Sequence, residues 1–493
     1  MKKVILSLLA LLLALLIIIV FKTMTFSSMQ KTMTFSSVQK TMSGVEALDF
    51  GKKPVEHLSR AISFPTISYE RNAPIDTVAF MGYHQFLSET YPLVHSKLKK
   101  EVFSGFSLLY TWEGTDKTLE PIILMGHMDV VPAPDTASWT YPPFAGRVHG
   151  GYIWGRGSLD DKASMVSILE ATEALLAENH QPKQTIYIAF GHDEEIGGTR
   201  GAEVIASALA KRGVKAGYIL DEGMAITQGM IPMINKPVAL IGTSEKGQMS
   251  VTLSVKMEGG HSSTPEKETA ISVLCKAMDK VQGHPMKSGI SGSVNDFIRY
   301  IGPEMPWYAK ILFANSWLFK KVLIHIYQSS ASGNALVSTT AAPTILRAGS
   351  KSNVLPEKAE AVINFRILPG ETSKNIIKEL AEVISDDRVK LTVDEWLHEP
   401  SPVSPINTHG FEAIEKTIRQ VYPETLVAPT LMLASSDSKS YSKISKNIYK
   451  FAPLYVTSQD MARIHGINER NAISSFNRGI NFYYRLMKNS SGI

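Results

Sequence analysis

Cysteine is almost missing: Cys275 is the only one in 493 residues. A single thiol excludes an intramolecular disulfide framework and a cysteine-built zinc site, so any metal must be held by His, Asp and Glu. An excess charge on the body is missing too. Residues 1–44 carry Lys2, Lys3, Lys22, Lys31 and Lys40 and no acid, and the 51 Lys and Arg less these five leave 46, equal to the 46 acids. The excess of +5 is therefore confined to the N-terminal segment, which argues against a nucleic-acid partner. Long apolar runs are scarce as well: residues 4–21 form one, broken only by Ser7 and preceded by Lys2 and Lys3. Its length reaches the minimum for a bilayer span of about 18 residues, is long for a signal-peptide core, and no A-x-A site follows closely. It reads as an uncleaved signal anchor with a cytoplasmic N-terminus. The body is then membrane-anchored outside the cytoplasm, whether periplasmic, lumenal or extracellular. A cleaved signal peptide, giving a secreted protein, is the alternative.

What is present is ordinary globular composition, 44% hydrophobic and 20% charged, in a chain long enough for more than one domain. After the anchor or signal peptide (1–21), residues 22–44 hold a nine-residue tandem repeat, KTMTFSSMQ followed by KTMTFSSVQ. It is too short and polar for a solenoid and reads as a linker. From about residue 45, PIILMG (121–126), QTIYIAFG (184–191) and AGYIL (216–220) read as buried strands. Residues 162–177 have the apolar spacing of a helix. This alternation predicts an α/β catalytic domain with a largely parallel sheet and helices on both faces. A second style begins near Ser244: GQMSVTLSVKM (247–257) and AEAVINFRIL (359–368) alternate as half-exposed strands. The expected organisation is a split catalytic domain, 45–243 and 369–493, with an inserted α+β lid domain, 244–368.

The polar residues that follow the three buried strands are His127 and Asp129, then His192, Asp193, Glu194 and Glu195, then Asp221 and Glu222. Sites in open α/β sheets form just beyond the carboxyl ends of the strands. A further acidic pair, Asp160–Asp161, follows the turn GRGS and opens the long helix. Carboxylates gathered at one edge repel each other without a cation, and His with carboxylate is a zinc donor set. Enough acids are present for two metals sharing a bridging carboxylate.

HMDVVP, GRGSLDDK, HDEEIGG, LDEG, GGHSSTP, NVLP and FRILPGE occur in this order. From about residue 50 to the C-terminus the chain resembles the di-zinc exopeptidase family of carboxypeptidase S, aminoacylase and glutamate carboxypeptidase. The resemblance is strongest to the branch with carboxypeptidase S and N-fatty-acyl-amino-acid synthase/hydrolase. It implies a three-layer α/β/α zinc-peptidase domain with a ferredoxin-like lid, and two Zn2+ per subunit. His127 and Asp221 would bind one zinc, Glu195 and His465 the other, with Asp160 bridging both and a cis peptide at Asp160–Asp161. Asp129 would orient His127, Glu194 would be the general base, and His261 would stabilise the oxyanion. Arg366 and Asn353 would bind the substrate's free carboxylate.

The resemblance implies hydrolysis of an amide bond beside a free carboxylate: first a carboxypeptidase acting on small peptides, with an aminoacylase-like enzyme acting on N-acyl amino acids as the alternative. A homodimer is a candidate assembly. In SSDSKSY (435–441), Lys439 stands where such motifs carry arginine. Residues 307–327, rich in aromatics but carrying Lys310, Lys320 and Lys321, read as lid core or as an apolar wall for a long acyl chain. The alternative of another class is a membrane-tethered binding protein without catalysis.

Overall fold

The computed structural model describes residues 2–25, 39 and 42–490. Most of the tandem repeat lies outside the described residues. The catalytic sheet forms because its strands are apolar on both faces, as parallel strands covered by helices must be. In the strand Ile122–His127, Ile122 and Leu124 join one core while Ile123 and Met125 join the other. Helices Lys53–Ile62, Lys162–Ala177 and Ile473–Ser490 cover the first face, and Ala202–Lys211 covers the second. Ile122–His127 pairs in parallel with Ile186–Gly191 and with Tyr218–Asp221. All three therefore end at the same rim.

The lid is the four-stranded sheet with order Thr340–Ala348, Lys358–Ile367, Gly247–Lys256, Val389–Val393, all neighbours antiparallel. With helices Ala270–Gly283 and Ser373–Ile384 this is a βαββαβ ferredoxin-like unit. Strict alternation explains it: Met249, Val251, Leu253 and Val255 are buried, as are Ala361, Ile363 and Phe365, against apolar residues of the two helices. Two boundaries differ from the expected lid of 244–368. Its last helix and strand lie beyond residue 368, because the Val389–Val393 strand closes the sheet edge against Gly247–Lys256. In the other direction, the segment 292–337 leaves the lid core. Val294, Ile298, Ile301 and Ala309 pack with Leu426, Ala428 and Leu431 of the catalytic sheet.

The N-terminal apolar run is the helix Lys2–Met24, of 23 residues and mean hydropathy 3.5, with none of its residues buried. At about 1.5 Å per residue it is roughly 35 Å long. Length and composition suffice to cross a bilayer.

Phe365 sits in the lid core, fully buried. Phe365→Ala should destabilise the lid by about 3–5 kcal/mol, read as a loss in chemical denaturation, with the catalytic domain's transition left in place.

Candidate metal centre

His127 closes its strand and is buried. Its Nδ1 lies 3.0 Å from the Asp129 carbonyl. A carbonyl only accepts, so Nδ1 carries a proton and Nε2 is the nitrogen left to face a cation. That Nε2 is 3.0 Å from Asp160 Oδ1. The other oxygen of Asp160 is 3.1 Å from His465 Nε2, which is also 3.1 Å from Glu195 Oε2. Two potential cation groups result, His127–Asp160–Glu222 and Asp160–Glu195–His465, each with its donor atoms within 4.8 Å of one another. Asp160 belongs to both.

Local structure explains how each side chain gets there. Gly126 precedes His127 because a Cβ there would stand 2.7 Å from Asp161 Oδ2, the atom that accepts the His127 N–H. The Asp160–Asp161 peptide is cis. His465 lies in the left-handed region, with φ 59°, and its carbonyl accepts from Arg156 Nη2 at 3.1 Å. Gly466 follows because a Cβ would meet the Ala462 carbonyl at 2.3 Å. The Asp129 carboxylate accepts from the backbone N–H of both Glu194 (3.1 Å) and Glu195 (3.2 Å). One buried carboxylate thus fixes the strand-end turn that carries both glutamates.

Burial and then the Asp160 and Asp161 charges push the Glu222 carboxyl well above its usual range. Burial, followed by Asp160, raises Glu195. Hydrogen bonds with Asp160 and Glu195 push His465 up to about 10. Without a cation this cluster retains protons, which is the state that a bound metal displaces. Zinc with ligands at about 2.0–2.1 Å in a tetrahedron separates neighbouring donors by about 3.3 Å. The spacings of 3.0–3.1 Å here are close to that edge, and Glu195 Oε1 is buried with no hydrogen-bond partner among the described residues. The donor set fits a pair of divalent cations.

The expectation for Asp221 differs from the geometry. Asp221 ends the strand Tyr218–Asp221 and its Oδ2 accepts from the Ser438 N–H at 2.8 Å. Side chains alternate along extended chain, so Glu222, one step on, supplies the carboxylate that faces His127 and Asp160. Sequence reasoning also missed Glu469. Its Oε1 accepts from the N–H of Leu159 (2.7 Å) and Asp160 (3.2 Å), while Oε2 pairs with Arg156 at 2.6 Å. This buried pair ties the Asp160 loop to the His465 loop. Its signal was an acid and a base inside the two motifs RIHGINE and GRGS.

The lid residues stand apart from this cluster. His261 is exposed on a short ribbon, Gly260–His261 against Val354–Leu355, with Nδ1 2.7 Å from Ser263 Oγ. Asn353 shares that ribbon, its carbonyl accepting from the Ser262 N–H. Arg366 lies near the end of the lid strand Lys358–Ile367, half-buried. Lys439 lines a cleft of about 540 Å³ between the domains, with Glu245, Lys246 and His398.

A cavity of about 420 Å³ opens directly on Asp160, Glu194, Glu195, Glu222 and His465. Its remaining wall is largely apolar and carries no charged side chain, with Met224, Met230, Leu240, Met432, Leu454 and Ile464 beside the polar Thr227 and Ser435. No residue of 307–327 lines it. The aromatic segment is therefore not the wall of this cavity.

Residues 123–489 match the sequence profile of peptidase family M20/M25/M40. The chain is 38% identical to the "Probable carboxypeptidase S-like 2" of Dictyostelium discoideum, over 97% of this chain and 93% of that one. It is 39% identical to the N-fatty-acyl-amino acid synthase/hydrolase PM20D1 of Xenopus tropicalis, over 89% and 86%. Among solved structures, the M20 family metallo-carboxypeptidase Sso-CP2 from Sulfolobus solfataricus superposes with a TM-score of 0.65 at 16% identity, over 90% of this chain and all of that one. That similarity speaks for the fold.

Glu222→Ala should remove roughly half of the bound metal, whereas Asp221→Ala should keep it and loosen the 435–441 loop instead. Metal content of the purified variants decides between them. Full loading of Glu222→Ala with loss in Asp221→Ala would return the ligand role to Asp221.

Proposed function

Since the chain belongs to peptidase family M20/M25/M40, a family of metal-dependent hydrolases, we propose that it is a di-zinc amidohydrolase for substrates with a free carboxylate on one side of the scissile amide and a bulky apolar group on the other. His127, Asp160 and Glu222 would hold one ion, and Asp160, Glu195 and His465 the other. When bound, such ions supply Lewis acidity and bring the pKa of water toward neutrality. Family membership argues against the alternative of a non-catalytic binding protein, and the two candidate donor groups support the same reading.

The chain's own residues divide the rest of the work. Glu194 is anchored through its N–H to Asp129. Its carboxyl is pushed well above the usual range by burial and by neighbouring acids, the setting of a general base that takes the proton of the attacking water and hands it to the departing amine. Asp129 holds His127 and the Glu194–Glu195 turn in register. Arg366, with Asn353, would receive the free carboxylate in parallel hydrogen bonds, and His261 would donate to the oxyanion. These three sit on the lid, so the reaction needs closure about the Lys246 junction, where Lys246 Nζ is bonded to the Ala335 and Ser338 carbonyls.

The observation that carries the reading is the apolar cavity against the acidic cluster. Apart from the catalytic acids and His465 its lining has no charged side chain, so it offers an acyl chain or apolar side chain good burial and a peptide's free ammonium no partner beyond the cluster. N-acyl amino acids and peptides with a bulky apolar residue before the C-terminal one meet that requirement. The helix Lys2–Met24 would anchor the enzyme with its body on the non-cytoplasmic side.

Among N-acyl amino acids, kcat/KM should rise with acyl length until the cavity is filled, and dipeptides with a free N-terminus should be poor substrates. A flat profile across chain lengths would remove the cavity from the mechanism. Glu194→Gln should keep its metal but lose about 10²- to 10⁴-fold in kcat. Arg366→Ala should raise KM by about 10- to 100-fold with a smaller effect on kcat.

A further inference from the structure

The segment 307–328 lines no part of the cavity beside the acidic cluster, yet it presents a large uncovered apolar surface. It forms two helices, Trp307–Ala314 and Ser316–Gln328. Their inner residues Ala309, Phe313, Ile324 and Tyr327 pack onto the body. Outward stand Trp307, Tyr308, Trp317, Leu318, Val322 and Ile326, with Trp307 73% exposed. Leu318, Val322 and Ile326 recur every four residues and so form one continuous stripe. Lys310, Lys320 and Lys321 lie among them, and no Asp or Glu occurs between Glu304 and Glu357. Outward aromatics and aliphatics mixed with lysines and free of acids is the composition of a helix lying in a membrane interface.

What covers this surface is indicated by the N-terminal helix. Lys2–Met24 packs against Trp307–Ala314. The buried Asn315 donates from Nδ2 to the Ile19 carbonyl (3.3 Å) and to Thr23 Oγ1 (3.1 Å), and Lys22 Nζ lies 5.0 Å from the centre of the Trp317 ring. Leu15, Ile19 and Thr23, four residues apart on one face, are half-covered while nearly all the rest of the helix is exposed. That stripe spans about 12 Å of helix, comparable with the roughly 5–10 Å to which interfacial helices sink. The geometry points to a monotopic membrane-docking element: the helices of 307–328 lie in the bilayer interface beside the last turns of the spanning helix, with Leu318, Val322 and Ile326 in the acyl region and the lysines at the level of the headgroup phosphates. The body then rests on the membrane instead of swinging on a tether. The inference rests on the anchor reading for where the bilayer lies, and the test keeps the two apart.

The experiment uses the full chain with Cys275→Ser, in vesicles of phosphatidylcholine and phosphatidylserine. Nitroxide labels are placed one at a time at Leu318→Cys, Val322→Cys, Leu9→Cys in the N-terminal helix, and Lys378→Cys as an exposed aqueous reference. Collision with oxygen, which concentrates in the bilayer, is compared with collision with a water-soluble nickel chelate. Positions 318 and 322 should show an oxygen-to-nickel ratio roughly tenfold above that of position 378. A bilayer reading at 9 with an aqueous reading at 318 and 322 overturns docking and leaves the anchor standing. Shielding of 318 and 322 from both reagents overturns it in favour of a second copy of the chain. An aqueous reading at 9 with a bilayer reading at 318 and 322 sustains docking and sinks the anchor. Aqueous readings at all three sink both.

Discussion

Everything in the catalytic half depends on holding several carboxylates together at one rim of a sheet. Two like charges about 4 Å apart repel by about 4 kcal/mol at the effective dielectric of a protein surface. Asp160, Glu194, Glu195 and Glu222 meet at one cavity wall, so the summed repulsion rivals the 5–15 kcal/mol by which a whole domain is stable. Protons relieve it in the absence of metal, and a pair of cations relieves it better because each also accepts an imidazole. Asp160 is the hinge of the arrangement, since its two oxygens face different histidines. Its loop is accordingly braced by buried charge. The Glu469 carboxylate accepts two backbone N–H groups there and is itself neutralised by Arg156, which also holds the His465 carbonyl. Removing one member of such a buried pair typically costs about 3–5 kcal/mol, so this brace sets the relative position of both candidate metal groups.

The substrate side obeys the opposite logic. Its residues lie on a unit with its own hydrophobic core, separate from the catalytic cores. A carboxylate clamp that must admit and release substrate has to move relative to the metals, and two independently packed domains permit this without disrupting either core. On the proposed reading the same division would separate the two recognition tasks: cationic Arg366 on the lid for the charged end, and an uncharged cavity wall in the catalytic domain for the apolar end.

Much of this was legible in the sequence because the strands here carry unusually clear patterns. The run of the strand Ile122–His127, the helix Lys162–Ala177, and the alternation of 247–257 each determined their element, and the residues after parallel strands had to share a rim. What was not legible came from long-range geometry. The choice between Asp221 and Glu222 depends on which way the chain turns after the strand, and Ser438, 217 residues away, decides it by capturing Asp221. Glu469 looks like any loop acid until the Asp160 loop closes over it. The lid's end was misplaced because the βαββαβ unit completes its sheet with a short, mostly exposed strand, Val389–Val393, whose pattern is weak. The helices of 292–337 belong to the insertion by sequence but to the catalytic sheet by packing, since their inner faces match Leu426 and Ala428.

The apolar features of the two halves converge on one strand. Leu240, in Val238–Glu245, lines the cavity beside the acidic cluster and also packs in the cluster that seats Ile301, Ala309 and Phe313. The wall that would receive a substrate's apolar end is therefore backed by the helix Trp307–Ala314, which presents Trp307 and Tyr308 outward. An amphiphile with a carboxylate head and a long acyl tail partitions into bilayers at about 0.8 kcal/mol per buried CH₂, so its concentration is highest at the membrane surface. An enzyme docked there, as proposed, would sample that enriched pool, and the apolar cavity would exchange lipid burial for protein burial at little net cost. On the proposed readings the N-terminal helix, the uncovered helices and the uncharged cavity would be three answers to one physical problem: hydrolysing a molecule that water scarcely holds.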